Sequence, residues 1–318
     1  MDIRPINPQS LDELASVLEL FRVVYRTDLS AAAYRWRFLD NPFGAPLVTL
    51  LWDGATLVGH YAASPMRAWV GGEIAAAQSM TTMTHPSYRN RGVFTALAED
   101  LYARMEQQGI ELIWGFPNTQ SHYGFVNKLG WRDIALVFTM TRLVTGADRA
   151  GAGAIEELAG VPGGVTALFE RSQDGCALAA MRDERYLRWR YVENPLAKYV
   201  FLTLPGGASD VLVVAKEYVP APNTRALEIV DYLHARAPER FGALLHDVLG
   251  WAYDHGYAMV RTWMSLADPA FGQLEKLGFV PKEPLAYFGG RTFGGFAMPE
   301  SAWSAAGFSL RMGDSDNY

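Results

Sequence analysis

The sequence predicts a mixed α/β protein built from two copies of one unit, and three recurrences carry that prediction. The octapeptide RWRFLDNP at 35–42 returns as RWRYVENP at 188–195. Phe94, Leu97, Ala98, Leu101, Tyr102 and Met105 follow the spacing of a helix with one buried face, and Gly109 follows them. The same spacing recurs in Phe241, Leu244, Leu245, Val248, Leu249 and Ala252, ahead of Gly256. Behind each helix stands a strand-like run, IELIWGF at 110–116 and YAMVRTW at 257–263, and then a similar ending, NKLGW at 127–131 and LEKLGF at 274–279. Self-similarity at a fixed offset marks a repeated structural unit.

The first copy reads, in order, as a helix over 11–26, a short helix over 31–39, and strands over 47–52, 57–63, 66–71 and 73–84. Gly71-Gly72 supplies a tight hairpin turn between the last two strands. A helix over 93–107, with Gly109 placed to cap it, precedes a strand over 110–116, a helix over 120–129 and a strand over 132–143. The expected domains are 1–145 and 165–311. TGADRAGAGA at 145–154 and VPGG at 161–164 mark a Gly/Ala-rich linker over 146–164. The polar end RMGDSDNY suggests a flexible tail over 312–318.

The 318 residues suffice for two ordinary domains, and 50% hydrophobic with 19% charged residues is a globular balance. A net charge of −6 argues against a broad nucleic-acid-binding face and leaves room for a local basic pocket. A lone cysteine, Cys176, excludes an intrachain disulfide and suits a reducing compartment. The N-terminus has no apolar signal core, and no run approaches the ~18 apolar residues of a membrane span. The expectation is a cytoplasmic protein with neither a membrane nor a nucleic-acid partner; a homodimer is compatible with the sequence. The six histidines form no HxxxH-type cluster, so no metal site is expected.

HPSYRNRGVFTAL at 85–97 carries the strongest chemical signal. A strand ends near Thr84, a short loop holds Arg89 and Arg91, and Gly92 opens the helix. The first N–H groups of a helix lack internal partners and present partial positive charge, which suits a phosphate or pyrophosphate. The two arginines add charge-assisted bonds. The alternative is a solvated loop with two arginines at a helix start. Neither a P-loop GxxxxGK[ST] nor a dinucleotide-type GxGxxG is present.

Arg89-Asn90-Arg91-Gly92-Val93-Phe94 resembles motif A of the GNAT acyltransferases, R/Q-x-x-G-x-G/A, and the flanking HPSY, Asn118 and KLGW sit where that family has them. The resemblance spans roughly 45–143 and returns weakened in the second half. It implies two tandem GNAT folds, each a mixed, mostly antiparallel sheet flanked by helices, with acetyl-CoA or another acyl-CoA as donor. Arg89, Asn90, Arg91, Gly92, Val93, Phe94 and Thr95 would hold the pyrophosphate. Met83 and Thr84 would pair with the pantetheine, their backbone N–H polarising the thioester carbonyl. Asn118 and Ser121 would bind the cofactor arm. Phe94 departs from the motif's Gly/Ala and must turn into the core. In the second copy Arg236, Pro238 and Glu239 replace Arg89, Arg91 and Gly92, so the donor site is expected in the first half alone.

The family's thiolate-protonating tyrosine falls here on Val126. Tyr123, one helical turn earlier, and its neighbour His122 are the candidate acids; the alternative is no protein acid at all, since a thiolate leaves readily. Strand 74–84 has no carboxylate, so the candidate bases are Glu228 and Asp231 in LEIVDY, with Asp40 and Glu193 behind them. His85 reads better as structural. Trp36 and Arg37 could bind an acceptor anion, although their repetition at Trp189 and Arg190 favours a structural role. The expected activity is transfer of an acyl group, acetyl first, from CoA to a small-molecule amine. The rivals are a non-catalytic acyl-CoA sensor or scaffold and an aminoacyl transferase of the FemABX type.

Overall fold

Along the first half the strands are β1 (Asp2–Pro5), β2 (Leu47–Asp53), β3 (Thr56–Trp69), β4 (Glu73–Thr84), β5 (Leu112–Gly115) and β6 (Arg132–Leu143). The helices are α1 (Leu11–Tyr25), α2 (Ala31–Tyr34), α3 (Val93–Gln107) and α4 (His122–Leu129). The second half contributes α5 (Gly146–Ala150), β7 (Glu156–Leu158), α6 (Val165–Ser172), β8 (Ala179–Ala180) and α7 (Glu184–Leu187). It continues with β9 (Tyr199–Thr203), β10 (Val211–Ala221), β11 (Thr224–His234), α8 (Pro238–Asp254), β12 (Met259–Thr262), α9 (Phe271–Lys276) and β13 (Val280–Thr292). This computed structural model describes residues 1–173 and 177–315; Cys176 and residues 316–318 lie outside the described residues.

The chain packs as two units: Met1–Ile134 with Tyr287–Met298, and Ala135–Ala286 with the chain from Pro299 onward. In the first unit the sheet order is β1-β2-β3-β4-β5-β13, with β4 and β5 parallel and the other pairs antiparallel. In the second it is β6-β12-β11-β10-β9-β7, with β11 and β12 the parallel pair. The two halves of the sequence exchange their last strands. Gly289–Thr292 of β13 pairs with β5, and residues 140–143 of β6 pair with β12.

Local chemistry explains the elements. Ser10 accepts the Glu13 N–H and caps α1, whose Leu14, Val17 and Leu20 are buried. These side chains pack with Tyr34, Phe38, Met80 and Met83 on one face of the first sheet. Leu97, Leu101 and Met105 of α3 pack with Phe125, Trp131 and Phe293 in the unit's other core. In the second unit Phe241, Leu244, Val248 and Leu249 of α8 repeat that role against Leu227, Ile229 and Val260.

Several expectations need correction. The strands expected over 57–63 and 66–71 are one strand, β3, running through Pro65. Pro65 removes no bond to β2, which pairs with β3 only as far as Leu47–Ala63. β1 was unexpected, since four residues carry too little periodicity to signal a strand. The helix over 31–39 is α2 followed by a π-helical turn over Arg35–Leu39, and the repeat is π-helical again over Arg188–Val192. After each turn a buried asparagine stitches the chain. Asn41 accepts the Phe43 N–H at 2.8 Å, and Asn194 accepts the Leu196 N–H at 2.9 Å. The octapeptide thus repeats because it encodes one backbone feature, which supports a structural role for Trp36 and Arg37.

The segment over 146–164 is not a loose linker. A capping box of Thr145 and Asp148 starts α5, the Gly153 N–H bonds Asp247 at 2.7 Å, and β7 joins the second sheet through β9. Within the expected tail, residues 312–315 are not free either, since Met312, Asp314 and Ser315 are buried beside Arg311; its remaining residues, 316–318, lie outside the described residues. Composition misled there because the polar groups have partners distant in sequence.

Candidate active site

β4 and β5 pair only from Ala76–Ser79 against Leu112–Gly115. β4 then continues to Thr84 beside β3, whereas β5 stops at Gly115. The end of β4, from Met80 to Thr84, therefore has, among the described residues, a strand partner on one side only. Beyond it lie the arginine loop and α3; beyond β5 lie Asn118 and α4. The residues expected to hold an acyl-CoA donor follow the two strands that part.

In the arginine loop, Asn90 (φ 62°) and Gly92 (φ 76°) are both left-handed, with one residue between them. Such alternation gathers successive N–H groups into an anion-binding concavity. Among the described residues, the N–H groups of residues 90–95 meet no acceptor. A Cβ on Gly92 would touch nothing within 4 Å, so glycine is required there by its backbone angle, and the space before it is open. Arg89 and Arg91 are exposed and, among the described residues, form no ion pair. Arg91 rests over the Tyr88 ring at 5.1 Å, and the Tyr88 hydroxyl donates to Asp53 at 2.7 Å. His85 is structural: its Nδ1 accepts the Ser87 N–H at 3.3 Å and caps the turn over Pro86–Tyr88. Val93 is buried, and Thr95 half-buried in the first turn of α3.

Phe94, the departure from the motif, lies half-buried against Tyr61 and Phe125, with ring centroids 6.2 and 5.2 Å away. Space for it comes from Gly124 of α4, where a Cβ would stand 2.8 Å from the Phe94 ring. Gly124→Ala should cost about 1–3 kcal/mol by overpacking, read as a lower urea midpoint. An unchanged midpoint would show that Phe94 is not confined there.

Met83 is buried in the core, so only its backbone can face a ligand; Thr84 is half-buried. Asn118 Oδ1 accepts the N–H groups of Gln120 and Ser121, at 3.0 and 3.1 Å. The Ser121 hydroxyl lies within hydrogen-bonding distance of Asn118 as well, which leaves the exposed Asn118 amide N–H₂ available to a ligand carbonyl.

The catalytic candidates separate. Tyr123 is 66% exposed and its hydroxyl has no partner among the described residues. His122 is held on two sides: Nε2 lies 2.8 Å from Asp133 Oδ1, and the ring stacks on Tyr287 at 3.8 Å between centroids. A carboxylate on one imidazole nitrogen fixes the tautomer and orients the other nitrogen for proton transfer. Asp133 and Tyr287 were missed in the sequence. Asp133 stands two residues after the KLGW ending and could have been noticed; Tyr287 comes from the exchanged strand and carried no signal.

The candidate bases are engaged elsewhere. Glu228 is buried between Arg261, at 3.0 Å, and Lys216, at 3.8 Å. Burial pushes its carboxyl upward, and the two cations oppose that shift. Asp231 accepts from Arg182 at 2.7 Å and from the Tyr191 hydroxyl at 2.8 Å. Asp40 is paired with Arg35 at 2.9 Å, whereas Glu193 ends the second π-helical turn. At the start of α8, Pro238 offers no N–H, Glu239 brings negative charge and Arg236 is exposed. A separate groove of about 1010 Å³ in the second unit is lined by Arg142, Tyr218, Arg261 and Lys276, and holds none of the expected donor residues. Among the described residues no group of three or more His, Cys, Asp or Glu could hold a metal ion, and no helix is long and apolar enough to cross a membrane.

Residues 3–134 match the family model described as an acetyltransferase (GNAT) domain. The first unit therefore carries a GNAT acetyltransferase domain, and the protein is an enzyme of the acyltransferase class. No curated protein sequence matches the chain significantly. Among solved structures, a GCN5-related N-acetyltransferase from Anabaena variabilis is similar over 91% of this chain and 72% of its own, with 12% identity and a TM-score of 0.69. A probable N-acyltransferase from Enterococcus faecalis is similar over 92% and 72%, with 14% identity and a TM-score of 0.64. N-myristoyltransferase from Saccharomyces cerevisiae, with bound myristoyl-CoA, is similar over 92% and 78%, with 12% identity and a TM-score of 0.60. At these identities the likeness is one of fold.

Proposed function

We propose that this protein transfers an acyl group, acetyl first, from CoA to the amine of a small molecule, and that the donor binds the first unit alone. The observation that carries the reading is the arginine loop: two guanidinium groups without an ion pair and a run of unaccepted N–H groups around Asn90 and Gly92, among the described residues. That is the charge and geometry a pyrophosphate requires. The acyl-CoA arm then lies along the one-sided end of β4, with the Thr84 backbone and the Asn118 amide as partners.

In the reaction the amine nitrogen bonds the thioester carbonyl carbon, the C–S bond breaks, and the amine loses a proton. His122, oriented by Asp133, is the group best placed to move a proton, and the exposed Tyr123 is its alternative. Glu228 and Asp231 serve the second unit's interior. That unit keeps the strand order, the parallel pair and the π-helical octapeptide, which supports descent of both halves from one duplicated ancestor. Pro238 and Glu239 deny it the anion site.

Thermal unfolding with and without acetyl-CoA tests the reading. At ~100 times its Kd the ligand should stabilise the protein by ~2.7 kcal/mol, a shift of a few degrees. Gly92→Glu should abolish the shift while leaving a folded protein. A wild type unmoved at millimolar acetyl-CoA would overturn the donor assignment.

A further inference from the structure

Thr81 lies inside β4 with φ 51°, a left-handed backbone that a β-branched residue rarely adopts. It belongs to a bulge: His60 pairs with Met83 and Ala62 with Met80, so Thr81 and Thr82 together oppose Tyr61. Strain of this kind persists only where surrounding groups hold it. Both bulge carbonyls are held. The Thr81 carbonyl accepts from His60 Nδ1 at 2.8 Å, and the Thr82 carbonyl from the Tyr25 hydroxyl at 3.2 Å. His60 is itself fixed, because the Tyr34 hydroxyl lies 2.9 Å from Nε2. A carbonyl can only accept, so Nδ1 carries the proton and Nε2 accepts from Tyr34. Tyr34 and His60 are both fully buried.

We propose that His60, held by Tyr34, is a positioning residue that sets the peptides of the β4 bulge beside the acyl thioester. The proposal rests on the donor site described above. A planar trans peptide points its C=O and N–H in opposite directions. Pinning the Thr81 carbonyl to His60 therefore turns the Thr82 N–H directly away from His60. It also fixes where Met83 and Thr84 re-enter the ladder. Polarisation of a thioester carbonyl by backbone N–H depends on that aim, and a displacement of about 1 Å is worth on the order of 10²-fold in rate. His60 touches neither donor nor acceptor; it acts through the backbone.

Carbon-13 NMR of acetyl-CoA labelled at the thioester carbonyl tests this without knowledge of the acceptor. Wild type should bind the probe and move the carbonyl resonance downfield. His60→Leu should keep binding to within about tenfold through the intact arginine loop and lose most of the downfield shift. His60→Gln can still donate to Thr81 and accept from Tyr34, and should restore the shift. Tyr34→Phe keeps the ring and frees the tautomer, so it should weaken the shift; it carries the test should His60→Leu not fold. A wild-type shift in bound His60→Leu or, failing that variant, in Tyr34→Phe overturns the proposal alone. A wild type that does not bind the probe overturns the donor site and the proposal together.

Discussion

Arg182→Ala should destabilise the second unit by about 3–5 kcal/mol, the usual consequence of leaving a buried charge without its partner. Arg182 is completely buried, with Nε 2.7 Å from Asp231 and Nη2 2.7 Å from Asp314. Burial opposes its charge, but the two carboxylates outweigh that and hold the guanidinium well above its ordinary value. Burial already pushes the Asp314 carboxyl upward despite Arg182 and Arg311. Without Arg182 it must rise further, and Asp314 will fold most readily as the neutral acid. A carboxyl whose folded pKa exceeds its unfolded one makes the folded state bind more protons. Its stability is greatest below the unfolded pKa and falls as pH rises through the folded one. The variant's deficit should therefore be larger at pH 7 than at pH 5 when both proteins are unfolded in urea. Arg182→Met with Asp314→Leu should recover part of the loss, because the pair is then removed together. Equal deficits at the two pH values would show that Arg182 acts by packing alone.

That network also shows what one-dimensional reading reaches and where it stops. α3 and α8 were legible because a buried helical face repeats at 3.6 residues, and the arginine loop because charge, glycine and helix start lie within seven residues. The duplicated octapeptide was legible as a repeat, but its π-helical turn was not, since apolar spacing alone does not separate one helical form from another. The roles of Asp314, Tyr287 and His60 depend on partners far off in the chain: Arg182, His122 and Thr81. A polar residue in a sequence reads as exposed until its partner is known, so RMGDS read as a tail. Asp231 looked like an available base for the same reason, because Arg182 stands 49 residues away.

His60 gives the donor unit a pH dependence with a definite sign. Burial pushes its imidazole down to about 4, opposed by the Thr81 carbonyl, which favours the charged ring. Among the groups around it, Tyr34 is neutral with its hydroxyl pushed upward by burial, and Glu13 acts on Tyr34. In the unfolded chain the imidazole titrates near its ordinary value, ~6.5. Between that value and about 4 the unfolded state carries a proton that the folded state refuses. The folded state's advantage is thus complete above the unfolded pKa and is lost as pH falls through the window, by about 3 kcal/mol in all. His60→Gln cannot titrate. The gap in urea-derived stability between wild type and His60→Gln should therefore shift by about 2–3 kcal/mol between pH 7 and pH 4.5, against the wild type at low pH. Parallel curves would mean that the ring is hydrated or already charged. Burial explains why the shift is so large, and the bulge carbonyl limits it. A protonated ring would have two donors, and the Tyr34 hydroxyl would turn to accept from Nε2. The cost of charging His60 is therefore the burial of an ion and not the loss of the Thr81 contact, to which a charged ring donates more strongly, so acid should destabilise the unit without first freeing Thr81.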